Sequence, residues 1–183
     1  MSKIERKAID RVFILLGTAL TAILLIAGGL AWYGYHFATE SVRTELAQQK
    51  VYFPPKNSPA IAALPAADQI QVNKYAGQQL LDGQQAKVYA NNFINVHLQK
   101  VAAGQTYAEV STAAQKDPTN PKLQAQKAVL FQGETLRGLL LGSGYAYWTF
   151  GMIAKLAAIA AFVGAGIMAV LVLLGMQHLA KLK

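Results

Sequence analysis

Three histidines, one lysine inside an apolar run and a scatter of carboxylates are the side chains of this sequence with chemistry to offer. A non-haem iron site commonly takes two histidines and a carboxylate, and a helical metal site takes two histidines three or four residues apart. His36, His97 and His178 have neither spacing. His97 reads as a satisfied, partly buried member of a helix face. The chain has no cysteine, which removes disulfides, thiolate ligands, cysteine nucleophiles and thioether haem attachment together. Gly142-Ser143-Gly144 sets a serine between glycines, but no Gly-x-Ser-x-Gly elbow, phosphate-binding loop or dinucleotide fingerprint accompanies it. Asp68, Asp82, Glu109, Asp117 and Glu134 are dispersed, and at least three suit caps or turns. No catalytic residue, cofactor or metal is expected. An enzyme working through Glu134 or His97 would need a site for which the sequence shows no spacing.

Lys155 is different, because it is the single charge in residues 149–176, a run long enough to cross a bilayer as a helix. Ionisable groups in lipid are costly and often functional. If the hydrocarbon begins near Leu156, about 19 residues to Leu174 still cover roughly 28 Å, and Lys155 snorkels to the outer headgroups. The functional alternative places it at a lipid phosphate, a pore mouth or a partner's carboxylate. Small residues recur nearby at four-residue spacing, Ala157 with Ala161 and Ala160 with Gly164, which allows helix backbones to approach closely. The pairs Gly17 with Thr21 and Thr18 with Ala22 offer the same near the amino terminus. Helix packing, within one chain or between copies, is the role expected of them.

The elements that carry these residues follow from hydropathy and punctuation. Residues 12–31 form another apolar run, extended by Trp32, Tyr33 and Tyr35, rings suited to a headgroup boundary, so that residues 12–35 make a first transmembrane helix. The run of about 20 residues exceeds a signal-peptide core and reads as an uncleaved anchor. Basic residues flank both spans, Lys3, Arg6, Lys7 and Arg11 in the tail 1–11 and Lys181 and Lys183 in the tail 177–183. The positive-inside rule then sets both termini in the cytoplasm and residues 36–148 outside it. The net charge of +8 is spread along the chain, which gives nucleic acid no footprint.

Residues 36–148 show no useful β-alternation, so the expected fold class is all-α: two transmembrane helices flanking an extracytoplasmic helical domain. Residues 40–50 continue the first helix. Prolines 54, 55, 59 and 65 predict an extended strap over 52–65, pegged by Tyr52 and Phe53. Asp68 is the expected cap of a helix to about Leu81, with Asp82-Gly83 as a turn. A helix over 84–103 follows, its inner face Ala86, Tyr89, Ala90, Phe93, Ile94, His97 and Val101, ended by Gly104. Thr106-x-x-Glu109 is a capping box for a helix to about Gln115, and Asn120-Pro121 starts the last one, 122–141. Gly142-Ser143-Gly144 is expected to be a hinge or kink before the second span.

The run Val51-Tyr52-Phe53-Pro54-Pro55, the segment Tyr75-Ala76-Gly77-Gln78-Gln79 and the stretch from Gly133 to Leu141 together resemble a family of small actinobacterial two-span membrane proteins. The resemblance implies an actinobacterial plasma membrane and no particular activity. Members often carry the label of aromatic ring-opening dioxygenase, whose iron site the three histidines cannot supply, since His36 and His178 fall on opposite sides of the membrane. The expected function is a non-enzymatic accessory or scaffold protein of the plasma membrane. Its partners would be membrane lipid, copies of itself or a larger envelope complex. The alternative is a homo-oligomeric channel or transport component, with the second span lining a pore and Lys155 at its mouth.

Overall fold

The computed structural model describes residues 3–181. Those residues form α-helices and two π-helical segments, and one isolated antiparallel bridge, Tyr52 with Gln79, is the only β pairing described. They fall into two compact units, residues 38–149 and a pair of helical arms made of residues up to 37 and from 150 on.

Helix α1 runs unbroken from Lys3 to Gln49. Past it, residues 51–55 are extended before a turn at Lys56-Asn57, and Phe53 N–H donates to Gln78 O at 2.9 Å while Val51 O accepts from Leu80 N–H at 2.9 Å. Pro54 has no N–H, so it joins this ladder only as an acceptor, from Gly77 N–H at 3.1 Å. Phe53 is a peg, 2% exposed between the rings of Tyr75 and Tyr89. Tyr52 is not, since strand alternation turns it outward. The strap is also not extended throughout. Pro59–Ala62 makes one turn, α2, because a proline in the first helical position lacks only an N–H that would have no partner there, and the Ser58 hydroxyl caps Ile61 N–H.

Helix α3 spans Ala66–Asn73, shorter than its expected end at Leu81, and Pro65 rather than Asp68 precedes it. Asp68 lies in the first turn and accepts from Asn92 Nδ2 at 2.7 Å. Asp82 is the true cap: its carboxylate accepts from Gln85 N–H at 2.8 Å, and the Gln85 side chain returns to the Asp82 N–H, starting α4 at Gly83–Val88. The box is Asp-x-x-Gln, with an aspartate at the cap where serine or threonine is usual.

Between α4 and α5, Asn95–Val101, the helix widens to a π-turn over Tyr89–Ile94. A π-turn inserts one residue, so every inward position beyond it moves by one. Ala86 and Ala90 are fully buried as expected, but past the bulge Leu98 and Ala102 are buried where His97 and Val101 were expected, and His97 is exposed. Leu98 and Ala102 join Val110 and Leu130 in a small second core, while Val42, Leu46, Phe53, Val72, Leu80 and Leu140 belong to the main one. Ala103 and Gly104 both take positive φ, and Gly104 N–H reaches back to Gln99 O at 2.9 Å, closing the helix.

Thr106 and Glu109 form the capping box of α6, Tyr107–Lys116, and Asn120 caps α7, Pro121–Leu139, through Lys122 N–H and Leu123 N–H. Gly142-Ser143-Gly144 is no break. It lies inside a second π-segment, Leu140–Ala146, which passes directly into α8, Tyr147–Lys181. Stretches of Glu5–Gln49 and Pro121–Lys181 are long and apolar enough to cross a membrane.

Candidate functional site

Along α1, inward positions alternate by three and four: Asp10, Ile14, Gly17, Thr21, Leu24 and Gly28. Along α8 the same alternation picks out Ala158, Ala161, Ala165, Met168, Val172 and Gly175. This is the spacing of a two-helix seam with a 3.5-residue repeat. Gly17 meets Val172 and Met168, Gly28 meets the ring of Phe162, Leu24 meets Gly164, and Ile14 meets Gly175, so the arms run antiparallel. A Cβ on Gly28 would lie 2.8 Å from the Phe162 ring, and one on Gly17 would lie 2.7 Å from Val172 Cγ2, so a side chain at either position would displace the one facing it. The Thr21 hydroxyl, among apolar neighbours, donates to Gly17 O at 2.8 Å and is satisfied inside its own helix.

The seam sorts the small residues. Ala161 and Gly164 are half-buried, whereas Ala157 and Ala160 are exposed, and the fully buried alanines are Ala158 and Ala165. Small residues seven apart, rather than four apart, mark the buried line, a signal present in the sequence as Gly151, Ala158 and Ala165. Gly17 and Thr21 lie on the seam, and Thr18 and Ala22 lie off it.

Ionisable side chains stand at each end of the seam. Half-buried Lys155 holds its Nζ 5.1 Å from the centroid of the Tyr35 ring, a cation–π contact. At the other end His178 Nε2 stands 3.9 Å from Asp10 Oδ2, beside a pocket of about 250 Å³. Asp10 and Tyr35 are 25 residues apart on one helix, roughly 37 Å at 1.5 Å per residue. His36 sits at the Lys155 end, its ring 5.3 Å from Trp32, so His36 and His178 do not converge. Among the described residues no three His, Cys, Asp or Glu side chains group to hold a metal ion.

The helical unit carries a cleft of about 640 Å³ where α1 faces α7 and the second π-segment. Val42, Leu46, Leu136, Leu139 and Leu140 form apolar walls, with Ser41, Glu45, Gln49, Ser143 and Tyr147 as polar groups. Ser143 shares this cleft with Glu45, and no histidine lines it. Gly83 packs against Trp148 and leaves a Cβ no room, its position being only 3.0 Å from Gly144 O. Next to this contact Lys87 Nζ donates to the Tyr145 hydroxyl at 3.2 Å and lies 4.6 Å from its ring centroid. That hydrogen bond, with the ammonium charge, pulls the Tyr145 phenol below its usual range. Burial pushes Tyr89 up, and burial with the nearby Asp82 carboxylate pushes Tyr75 up.

Five carboxylates of this unit have structural partners. Asp68 binds Asn92, Asp82 caps α4, Asp117 accepts from Thr119 and Asn120, and Glu134 pairs with Arg137 at 2.7 Å. Glu109 accepts from Thr106 N–H and then from its hydroxyl, and both bonds hold its carboxyl below the usual range. Arg137 also donates from Nε to Ala90 O at 3.2 Å, a carbonyl in the first π-turn that already accepts from Asn95 N–H. Comparison with known protein families, curated proteins and solved structures finds no match to this chain.

Proposed function

We propose that this chain is a non-enzymatic integral membrane protein, an accessory or scaffold that assembles with its own copies or with a larger complex of the cell envelope. The observation that carries this reading is the engagement of Asp68, Asp82, Glu109, Asp117 and Glu134 in caps, turns and an ion pair, which leaves them to hold helices rather than to handle substrate. The outward faces of the arms support insertion in lipid, with Phe13, Leu15, Ile23, Phe150, Leu156 and Val163 all more than half exposed. In this reading the helical unit stands outside the cytoplasm, both termini are inside, and the membrane is the plasma membrane. The basic residues flanking the arms support that orientation. A channel would need several copies, because the seam within one chain is filled by Val172, Phe162 and Met168 at its glycines.

The test is the mass of the particle extracted gently from its native membrane, with every co-purifying chain identified. A multiple of 19.7 kDa, or stoichiometric foreign subunits, is expected. A lone monomer at native abundance would overturn the assembly reading, and conductance in reconstituted bilayers would favour the channel.

A further inference from the structure

At the chain-end side of the arms, α1 and α8 leave a crevice of about 590 Å³ with two cations and an apolar wall. Lys7 and Arg11 are four residues apart, hence on one face of α1. Leu15, Met176 and Leu179 continue the crevice along the arms, and no carboxylate lines it. Asp10, next to Arg11 in sequence, faces His178 in the smaller pocket instead. The one hydroxyl in the crevice, Thr18 Oγ1, is committed to Ile14 O at 2.8 Å.

From this arrangement we infer that the crevice binds an anionic phospholipid, its phosphate between Lys7 and Arg11 and an acyl chain along Leu15, Met176 and Leu179. A free anion would neutralise the cations and leave the wall bare, and an uncharged lipid tail would cover the wall and leave two like charges facing each other at the edge of a low-dielectric layer. An amphiphile with a negative head does both. The guanidinium supplies a planar fork for two phosphate oxygens, and the ammonium supplies a point charge on a flexible stem. Thr18 lies seven residues beyond Arg11, roughly 10 Å along the helix and away from the two cations, so the headgroup is selected by its charge. This inference rests on the reading that the arms span a bilayer.

The experiment uses the full chain in mild detergent and counts bound lipid by native mass spectrometry, offering phosphatidylglycerol, phosphatidylcholine or inorganic phosphate in turn. Each surface cation near an anionic headgroup contributes about five-fold, so wild type retains phosphatidylglycerol roughly 25-fold better than phosphatidylcholine. The double variant Lys7→Gln/Arg11→Gln loses that preference, and the charge-matched control Lys116→Gln/Lys122→Gln keeps it. Equal retention of the two lipids by wild type, or an unchanged preference in the double variant, overturns the site. Phosphate competing as well as the lipid overturns the acyl-chain contact and leaves an anion site. Flotation of wild type with vesicles separates the two readings: protein that floats without lipid preference refutes the crevice alone, and protein that never enters the vesicle fraction refutes both.

Discussion

Leu98 lies directly on Gly133, its Cδ1 only 2.8 Å from where a Cβ on the glycine would stand. The contact exists because the π-turn at Tyr89–Ile94 rotates Leu98 inward and His97 outward. Gly133→Leu is therefore expected to overpack the small core and cost about 1–3 kcal/mol, whereas His97→Ala stays within about 0.5 kcal/mol. Thermal unfolding of both variants in one detergent checks the pair, and a destabilising His97→Ala would mean the register is wrong.

The guanidinium of Arg137, 20% exposed, ties α7 to the same π-turn through Ala90 O. Arg137→Met removes a charged donor from that carbonyl and from Asn91 Oδ1, and it is expected to cost about 1.5–3 kcal/mol. Hydrogen exchange at the amides of residues 89–95 should accelerate more than exchange in α6. Equal acceleration in both would argue for general loosening instead.

Tyr145 is expected to ionise below the ordinary tyrosine value of 10.0, since the Lys87 hydrogen bond and then its charge favour the phenolate. The folded value is the depressed one, so ionisation adds stability as pH rises from below it toward 10, and the contribution disappears as pH falls back through it. Phenolate absorbance, taken as the difference between wild type and Tyr145→Phe, reads the titration. Lys87→Met should move it upward, and no movement would detach the shift from Lys87.

Gly28 and Ala160 separate packing inside one chain from packing between chains. Gly28→Leu drives a side chain into the Phe162 ring and is expected to destabilise the paired arms by about 1–3 kcal/mol. Ala160→Leu, exposed and off the seam, should leave unfolding unchanged. If Ala160→Leu alone reduces the mass of the extracted particle, self-association uses that face, and an unchanged mass removes Ala160 from any interface.

The sequence alone determined what depends on neighbours along the chain. Two apolar runs long enough to cross a bilayer core, the Thr106 and Asn120 caps and the Gly104 stop are local facts, because a cap or a hydrophobic run is decided by neighbours along the chain. Absence of β-alternation likewise pointed to an all-helical chain, as observed. The π-turns, by contrast, were decided only in three dimensions, since an inserted residue is stable only where a distant group such as Arg137 meets its carbonyl and a distant core accepts the shifted face. That one insertion moved burial from His97 to Leu98. Tertiary structure also chose the seam line, burying Ala158 and Ala165 and leaving Ala157 and Ala160 outside, because which stripe of an alanine-rich helix is covered depends on where the facing helix sets its glycines and its large side chains.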